Sequence, residues 1–194
     1  MLPSNPEAQK VDPRVKRTRE SLEQAFVGLL REKGFQAITV QDITQRAGLN
    51  RATFYAHFPD KYALLDHRIR QGFLQEIDKR MLHACHYSLE NLRSLIIAVC
   101  EFTSKSVSRC KPPHAQYESL VESQVKAVLY ELLLNWLKQV ETQVAPETAA
   151  TAGSWAIYGL AAQWNHSKQS RSALKFADEV LPLVAANLQV TQPA

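Results

Sequence analysis

Glycine is scarce in this chain of 194 residues, which has only six, and cysteine is scarcer still, with three. The glycines are separated by long segments of helical periodicity, which favours a helical protein. Cys85, Cys100 and Cys110 are an odd number on predicted helices, so they fit reduced thiols better than a disulfide framework. No stretch approaches the roughly 18 apolar residues of a membrane span, and the N-terminus lacks the apolar core of a signal peptide. We therefore expect a cytoplasmic protein with no membrane partner.

The chain also lacks the common catalytic and metal-binding motifs. It has no Gly-x-Ser-x-Gly elbow, no Gly-rich phosphate loop and no Cys-x-x-Cys pair. Two small clusters of possible metal ligands are His83, Cys85 and His86, and Cys110 with His114. Structural zinc normally needs four converging ligands, and helical positions i, i+2 and i+3 do not all converge. We favour surface histidines and packed cysteines, and we expect no enzyme activity, no cofactor and no metal.

The most informative segment is residues 39–61, TVQDITQRAGLNRATFYAHFPDK. Thr39 is a predicted N-cap with Asp42 in the capping-box position, although Asp is a weaker reciprocal cap than Glu. Gly48 is suited to the left-handed conformation that ends a helix. Asn50 is a second predicted N-cap. Two short helices joined by a tight glycine turn are typical of a helix-turn-helix.

The second helix of this segment has two different faces. Phe54 and Phe58 lie four residues apart and share its apolar side. Most of its polar residues lie off that side: Arg51, Thr53, Tyr55 and His57. A polar and basic helix face of this kind is suited to the major groove of DNA.

These residues resemble the N-terminal DNA-binding domain of the tetracycline-repressor (TetR) family. The matching positions are Gly34-Phe35, Thr39-Val40, Asp42-Ile43, Ala47-Gly48-Leu49, Thr53-Phe54-Tyr55, His57-Phe58, Lys61 and Leu64-Leu65. The resemblance implies an all-α protein with a helix-turn-helix domain at residues 13–60 and a connecting helix at 61–83. A helical effector-binding and dimerisation domain would follow at 84–190.

The resemblance also implies roles for individual residues. Phosphate contacts are expected from Thr39, Tyr55, His57 and Lys61. Base-edge contacts are expected from Arg51, Ala52 and Thr53, and Asn50 completes the DNA-binding set. Arg51 is the residue expected to read guanine through its acceptor edge, with a phosphate contact as the alternative.

The distribution of charge agrees with a DNA-binding N-terminal half. Residues 1–83 contain 14 Lys and Arg against 10 Asp and Glu, whereas residues 84–194 contain 9 of each. All of the net charge of +4 therefore belongs to the first part. Within it lies a basic arm, which consists of Lys10, Arg14, Lys16, Arg17 and Arg19. We favour phosphate attraction for this arm over a merely solvated helix start.

The second part reads as four helices at about 89–110, 114–142, 147–166 and 171–190, with prolines at the breaks. Its last two helices combine small residues with a wide apolar face. In the resembled family these helices pair with a second subunit, so we expect a homodimer, with an intrachain core as the alternative. The predicted interface residues are Trp155, Gly159, Leu181, Val184 and Leu188.

Aromatic residues in the same part are candidates for an effector pocket. The predicted ligand contacts are Phe102, Tyr117, Trp136 and Tyr158. Aromatic residues at helical spacing are also common in plain helical cores, and that reading stays open for each of them. The pocket itself is expected from the family, which generally senses small molecules, and the sequence does not identify the effector.

The expected function is that of a ligand-responsive transcriptional regulator. We expect a repressor that binds a palindromic DNA operator as a dimer and is released by a small molecule. A transcriptional activator or a ligand-independent regulator would have the same sequence features. An enzyme with an accessory helix-turn-helix is a third class, which the lack of a catalytic constellation disfavours.

Overall fold

Eight α-helices dominate the computed structural model, which describes residues 12–80, 86–109, 115–167 and 171–191. They are α1 (Pro13–Lys33), α2 (Val40–Ala47), α3 (Arg51–His57), α4 (Lys61–Asp78), α5 (Leu89–Arg109), α6 (Ala115–Leu137), α7 (Pro146–His166) and α8 (Ala173–Asn187). Within these described ranges the β-structure is limited to one antiparallel bridge, between Thr142 and Val190. No helix among them combines the length and apolarity needed to cross a membrane. The all-α prediction is confirmed.

The helix starts follow local capping chemistry. Asp12 accepts a hydrogen bond from the Arg14 amide at 2.8 Å, and Pro13 occupies the first helical position of α1. Asp60 accepts one from the Ala63 amide at 2.8 Å, at the start of α4. Helix α4 ends at Asp78, and Lys79 and Arg80 form a turn. The rest of its predicted extension to about His83 lies outside the described residues.

The four predicted C-terminal helices are all present, and α6 differs most from its expected bounds. It ends at Leu137 rather than near residue 142. The reason is that the following residues bond to the end of the chain instead of continuing the helix. The Gln143 amide donates to the Gln189 carbonyl at 2.9 Å, and the Thr191 amide donates to the Glu141 carbonyl at 3.0 Å.

The chain forms two compact units. The N-terminal unit contains, among the described residues, 12–69, 106–109 and 115–121. The C-terminal unit contains the described parts of 70–105 and 122–194. Helices α4, α5 and α6 each contribute residues to both units. The functional division at residues 60 and 83 stays a prediction.

The core of the N-terminal unit joins α1, α2, α3 and the start of α4. Its buried hydrophobic residues include Leu22, Phe26, Leu29, Leu30, Phe35, Ile38, Ile43, Phe54, Phe58, Leu64 and Leu65. The Phe26 and Phe35 rings meet edge to face, with centroids 6.2 Å apart. This shared core fixes the position of the two short helices, which are too short to be stable alone.

The core of the C-terminal unit depends on a close approach to α7 at Gly153. A Cβ atom at this position would lie 2.5 Å from Leu188 Cδ2 and 3.1 Å from Leu133 Cδ1. Both leucines are fully buried, so their side chains have little room to move away. By contrast, a Cβ at Gly159, on the same helix, would meet nothing within 4 Å.

The same unit contains a free cysteine, Cys100. It is fully buried, and this burial, followed by the nearby charge of Glu101, raises the pKa of its thiol to about 12. A thiol of this kind stays protonated and unreactive at neutral pH. Cys85 and Cys110 lie outside the described residues.

Gly153 and Gly159 supply a matched pair of substitutions. We predict that Gly153→Ala lowers the free energy of unfolding by about 1–3 kcal/mol, because the added methyl group overpacks a rigid site. Gly159→Ala should leave stability unchanged or raise it by up to about 1 kcal/mol, because alanine favours the helix and meets no neighbour in the chain. Chemical denaturation followed by circular dichroism measures both. Equal effects of the two substitutions would contradict the close approach at Gly153.

Candidate nucleic-acid interface

Helix α2 starts with a complete capping box. The Asp42 amide donates to Thr39 Oγ1 at 3.1 Å, and the Thr39 amide donates to Asp42 Oδ2 at 2.7 Å. Lys33 also pairs with Asp42 at 2.8 Å. The bond from Lys33, and then those from Thr39, lower the pKa of Asp42 from 3.8 to about 2. Because the folded-state pKa is the lower one, this stabilisation is present above about pH 4 and is lost as the pH falls towards 2.

The turn between α2 and α3 is set by one glycine. Gly48 adopts the left-handed conformation, with φ 67° and ψ 30°. The Leu49 amide then donates back to the Thr44 carbonyl at 2.9 Å, which closes the end of α2. Asn50 Oδ1 accepts the Thr53 amide at 2.7 Å, so that α3 begins at Arg51. The predicted helix-turn-helix is therefore present.

Helix α3 has an inner face and an outer face. Phe54 is fully buried, as is nearly all of Phe58. Arg51 and Ala52 are exposed, and Tyr55 keeps 49% of its surface accessible. These three residues form the outer face of α3. It begins with an arginine at the end of the helix that normally meets base edges.

Two further predicted DNA contacts, Thr39 and Thr53, have hydrogen-bond partners within the chain. The Thr39 hydroxyl donates to Asp42 Oδ2 at 2.7 Å, and the Thr53 hydroxyl donates to Asn50 Oδ1 at 2.9 Å. Another predicted contact is His57, whose pKa is lowered by partial burial and then by the charge of Arg19. A neutral imidazole can still donate a hydrogen bond to phosphate, but it adds no positive charge.

Lys61 is bound more firmly than the sequence suggests. Its ammonium nitrogen lies 3.2 Å from the Phe35 carbonyl oxygen, 3.1 Å from that of Gln36 and 2.8 Å from that of Ile38. It also lies 4.7 Å from the centre of the Phe35 ring and 5.7 Å from that of Tyr62. A lysine has three N–H donors, and all three are engaged here. Lys61 thus ties α4 to the turn before α2, and its predicted phosphate contact would require these bonds to break.

The basic arm lies on the first turns of α1. Arg14, Lys16, Arg17 and Arg19 are all exposed, while Lys10 lies outside the described residues. The Arg19 guanidinium carbon is 5.3 Å from the centre of the Phe58 ring, which brings this positive charge beside the end of α3. The sequence predicts a basic arm, but this packing against α3 could not be read from it.

The four aromatic residues predicted to contact a ligand are largely packed in the core. Phe102, Tyr117 and Trp136 are buried, and Tyr158 is half-buried. Tyr117 belongs to the N-terminal unit, whereas the other three belong to the C-terminal unit. Phe102 packs on Phe73, with ring centroids 5.1 Å apart. Ligand contact stays a prediction for all four, and the core reading accounts for the burial of the first three.

The predicted dimer residues divide into two groups. Trp155 is 63% exposed, Gly159 is exposed and Leu181 is half-buried, so these three have accessible surface. Val184 and Leu188 have no exposed surface because they pack inside the chain. In this conformation Val184 and Leu188 have no surface with which to contact a partner, and their interface role stays a prediction.

Of the two small clusters of possible metal ligands, both disfavoured by the sequence, His86 is described. His83, Cys85, Cys110 and His114 lie outside the described residues. In the parts of the chain that are described, no group of three or more His, Cys, Asp or Glu side chains is placed to hold a metal ion.

Comparison with known proteins finds a family match for the helix-turn-helix segment. Residues 24–67, from within α1 to the first turns of α4, match the profile of bacterial regulatory proteins of the tetR family. This segment therefore matches the helix-turn-helix DNA-binding domain of TetR-family regulators, the family that the sequence resembles.

Two relatives come from Bacillus subtilis strain 168. The HTH-type transcriptional regulator YxbF is 42% identical over 79 residues, which are 40% of this chain and only 21% of the relative's length. The HTH-type transcriptional regulator YwcC is 27% identical over 161 residues, which are 69% of this chain and 70% of the relative.

Solved structures of the family share the fold over most of the chain. A TetR-family regulator from Streptomyces coelicolor A3 aligns with a TM-score of 0.64 at 19% identity, over 89% of this chain and 95% of that one. FadR of Thermus thermophilus, a TetR-family repressor in complex with lauroyl-CoA, aligns with a TM-score of 0.57 at 21% identity, over 90% and 97%. At these identities the likeness establishes the fold.

The geometry at Lys61 leads to a prediction that distinguishes a structural role from a phosphate contact. Lys61→Met keeps the aliphatic stem but removes the donors to three carbonyls. We expect it to lower the free energy of unfolding by about 1–3 kcal/mol, because these carbonyls lose their partner. The salt dependence of DNA binding should not change, since a lysine engaged in this way neutralises no phosphate.

Two measurements test this prediction: urea denaturation of the free protein, and the slope of log affinity against log salt. Arg17→Met, in the exposed basic arm, is the matched control, with unchanged stability and a shallower slope. If Lys61→Met instead made the slope shallower by about 0.9 per half-site and left stability unchanged, Lys61 would be a phosphate contact.

Proposed function

We propose that this chain is a repressor that binds a near-palindromic operator as a homodimer and is released by a small molecule. The observation that carries the proposal is the outer face of α3. Arg51, Ala52 and Tyr55 are exposed there because Phe54 and Phe58 hold the opposite side of the helix in the core.

Arg51 is the best candidate for reading a base. It is the first residue of α3, it is exposed, and it makes no ion pair with the described part of the chain. A free guanidinium fork at the start of a recognition helix matches the two acceptors of guanine in the major groove. The exposed cations of the basic arm supply the attraction to phosphates that binding also needs.

A homodimer is supported by apolar surface on α7 and α8. Trp155 and Leu183 are 63% and 61% exposed, and Gly159, Pro182 and Ala186 are exposed as well. Apolar residues that cluster on the surface commonly mark an interface. A two-fold dimer would present two copies of α3 to successive major grooves, about 34–36 Å apart, and this spacing requires an operator of near-palindromic sequence.

Release by a ligand requires that the two units communicate. Helices α4 and α6 contribute residues to both units. A movement of the C-terminal-unit part of either helix can therefore be transmitted along that helix to its N-terminal-unit part. A ligand that prefers one arrangement by about 1–3 kcal/mol would change operator affinity about 5–150-fold. FadR of Bacillus subtilis was solved in complex with stearoyl-CoA, so long-chain acyl compounds belong in an effector screen.

DNA recognition is tested by substituting Arg51. We expect Arg51→Ala to weaken operator binding by about 1–3 kcal/mol and to relax preference at one base pair in each half-site. The matched control is Arg31→Ala, which removes an exposed arginine in the last turn of α1 that is not among the predicted DNA contacts. Fluorescence anisotropy with a panel of single-base operator variants measures both effects. Uniform weakening across the panel would assign Arg51 to phosphate instead.

Dimerisation is tested by placing a charge on the proposed interface. Leu183→Glu should split the dimer, because the carboxylate would lose its water in the contact. The chain should stay folded, since Leu183 is exposed within it. Leu89→Glu is the control, because Leu89, at the start of α5, is also a largely exposed leucine, at 50%. Sedimentation velocity should give a monomer for the first variant and a dimer for the second. A monomeric unmodified chain, or a dimeric Leu183→Glu variant, would refute this interface.

A further inference from the structure

A polar cleft of about 420 Å³ opens in the C-terminal unit. It lies between α5, the end of α7 and the start of α8, and none of the residues predicted to bind ligand lines it. Its walls include Glu101, Ser104, Lys105, Trp164, Arg171 and Ser172. The volume is within the usual range of about 300–1,000 Å³ for small-molecule sites.

Two cations, Lys105 and Arg171, line this cleft, and each is paired with carboxylates. Lys105 Nζ lies 3.2 Å from Glu101 Oε2 and 3.5 Å from Glu76 Oε1. Arg171 pairs with Glu179. The side chains of Lys105 and Arg171 are 46% and 50% exposed, and ion pairs with this much exposure are weak. An anion that enters the cleft can therefore compete for both cations at once.

One wall of the cleft is apolar and well fixed. The Trp164 ring stacks on Phe176, with centroids 6.2 Å apart and an angle of 29° between the planes. Its indole N–H donates to the Arg171 carbonyl at 3.1 Å, so that Arg171 is anchored beside it. A bound molecule would thus meet an aromatic edge as well as two cations, which suits an amphipathic anion.

The cations of the cleft also belong to a charge network that reaches α4. Arg80 pairs with Glu101 at 2.6 Å, and Glu76, which is buried on α4, has Lys105, Lys79 and Arg80 at 3.5, 3.6 and 3.7 Å. If an anion draws Lys105 away, Glu76 loses its nearest cation. A buried carboxylate with fewer partners is destabilised, which favours a movement of α4.

We propose that this cleft is an effector site for a small organic anion, a carboxylate or a phosphate monoester with an apolar body. Lys105 and Arg171 bind the anionic group, and Trp164 contacts the body. Binding is relayed to α4 through Lys105 and Glu76. The regulatory part of this inference rests on the proposed ligand-responsive function, whereas the binding part does not.

Binding is measured on the full chain without DNA, by tryptophan fluorescence at constant ionic strength. The probes are 4-phenylbutyrate, phenyl phosphate and the neutral 4-phenylbutyramide. We expect a saturable change with at least one of the two anions and binding about tenfold weaker for the amide, which lacks the charge. The anion that binds more tightly identifies the preferred acid. Trp164→Phe should abolish the change, and Trp155→Phe should retain it.

Three charge variants locate the site. Lys105→Gln and Arg171→Gln should each weaken binding of the better anion about tenfold. Glu179→Gln should strengthen it, because Arg171 loses its competing partner. This variant alters one exposed carboxylate, so a gain in affinity cannot arise from misfolding. Circular dichroism confirms the fold of all three. Equal affinity for the amide, no effect of any variant, or no saturable change with either anion would overturn the site.

A second assay distinguishes anion binding in the cleft from its effect on operator binding. Operator binding is measured with and without the better anion, in the unmodified chain and in Arg171→Gln. The proposal expects the anion to weaken operator binding only in the unmodified chain. If the anion binds but operator affinity is unchanged, the relay through Lys105 and Glu76 is wrong. If the protein binds no operator at all while anion binding persists, the repressor function fails and the binding site stands.

Discussion

The burial of Phe54 and Phe58 determines the orientation of the recognition helix, and the functional surface depends on it. Helix α3 has only seven residues, which is too few for a stable isolated helix. Its structure therefore comes from the core that these two rings enter and from the Asn50 cap at its start. Once that side is buried, Arg51 and Tyr55 must lie on the outside. A polar residue at position 54 would remove the order of the helix together with its orientation.

The helix-turn-helix could be predicted from the sequence because its determinants are local. The caps at Thr39 and Asn50 act within three residues, and the left-handed conformation of Gly48 follows from its lack of a side chain. Lys61 could not be placed in the same way. Its three carbonyl partners lie 23 to 26 residues earlier in the chain, and only the folded core brings them together. A family resemblance suggests a role for a position, whereas its neighbours in space decide which bonds it makes.

In the C-terminal unit, the spacing of apolar residues does not determine which of them are buried. The spacing along α8 identifies an apolar face, but it does not say which part of that face turns inward. Leu183 is 61% exposed and Val184 is fully buried, although the two are adjacent. The polar cleft could not be predicted from the sequence either, because Lys105 and Arg171 lie 66 positions apart and line the same cleft only in the folded chain. Within the chain, the small residue with a clear packing role is Gly153, which permits the close approach of Leu188.

The central claim is that two copies of the outer face of α3 read DNA in successive major grooves. The most direct test is to select duplexes from a random pool with the unmodified protein at moderate salt and to sequence those retained. The account predicts an enriched inverted repeat whose half-site centres lie about one helical turn, or a whole number of turns, apart. Retained duplexes with no common motif, or with a single unrepeated site, would contradict it.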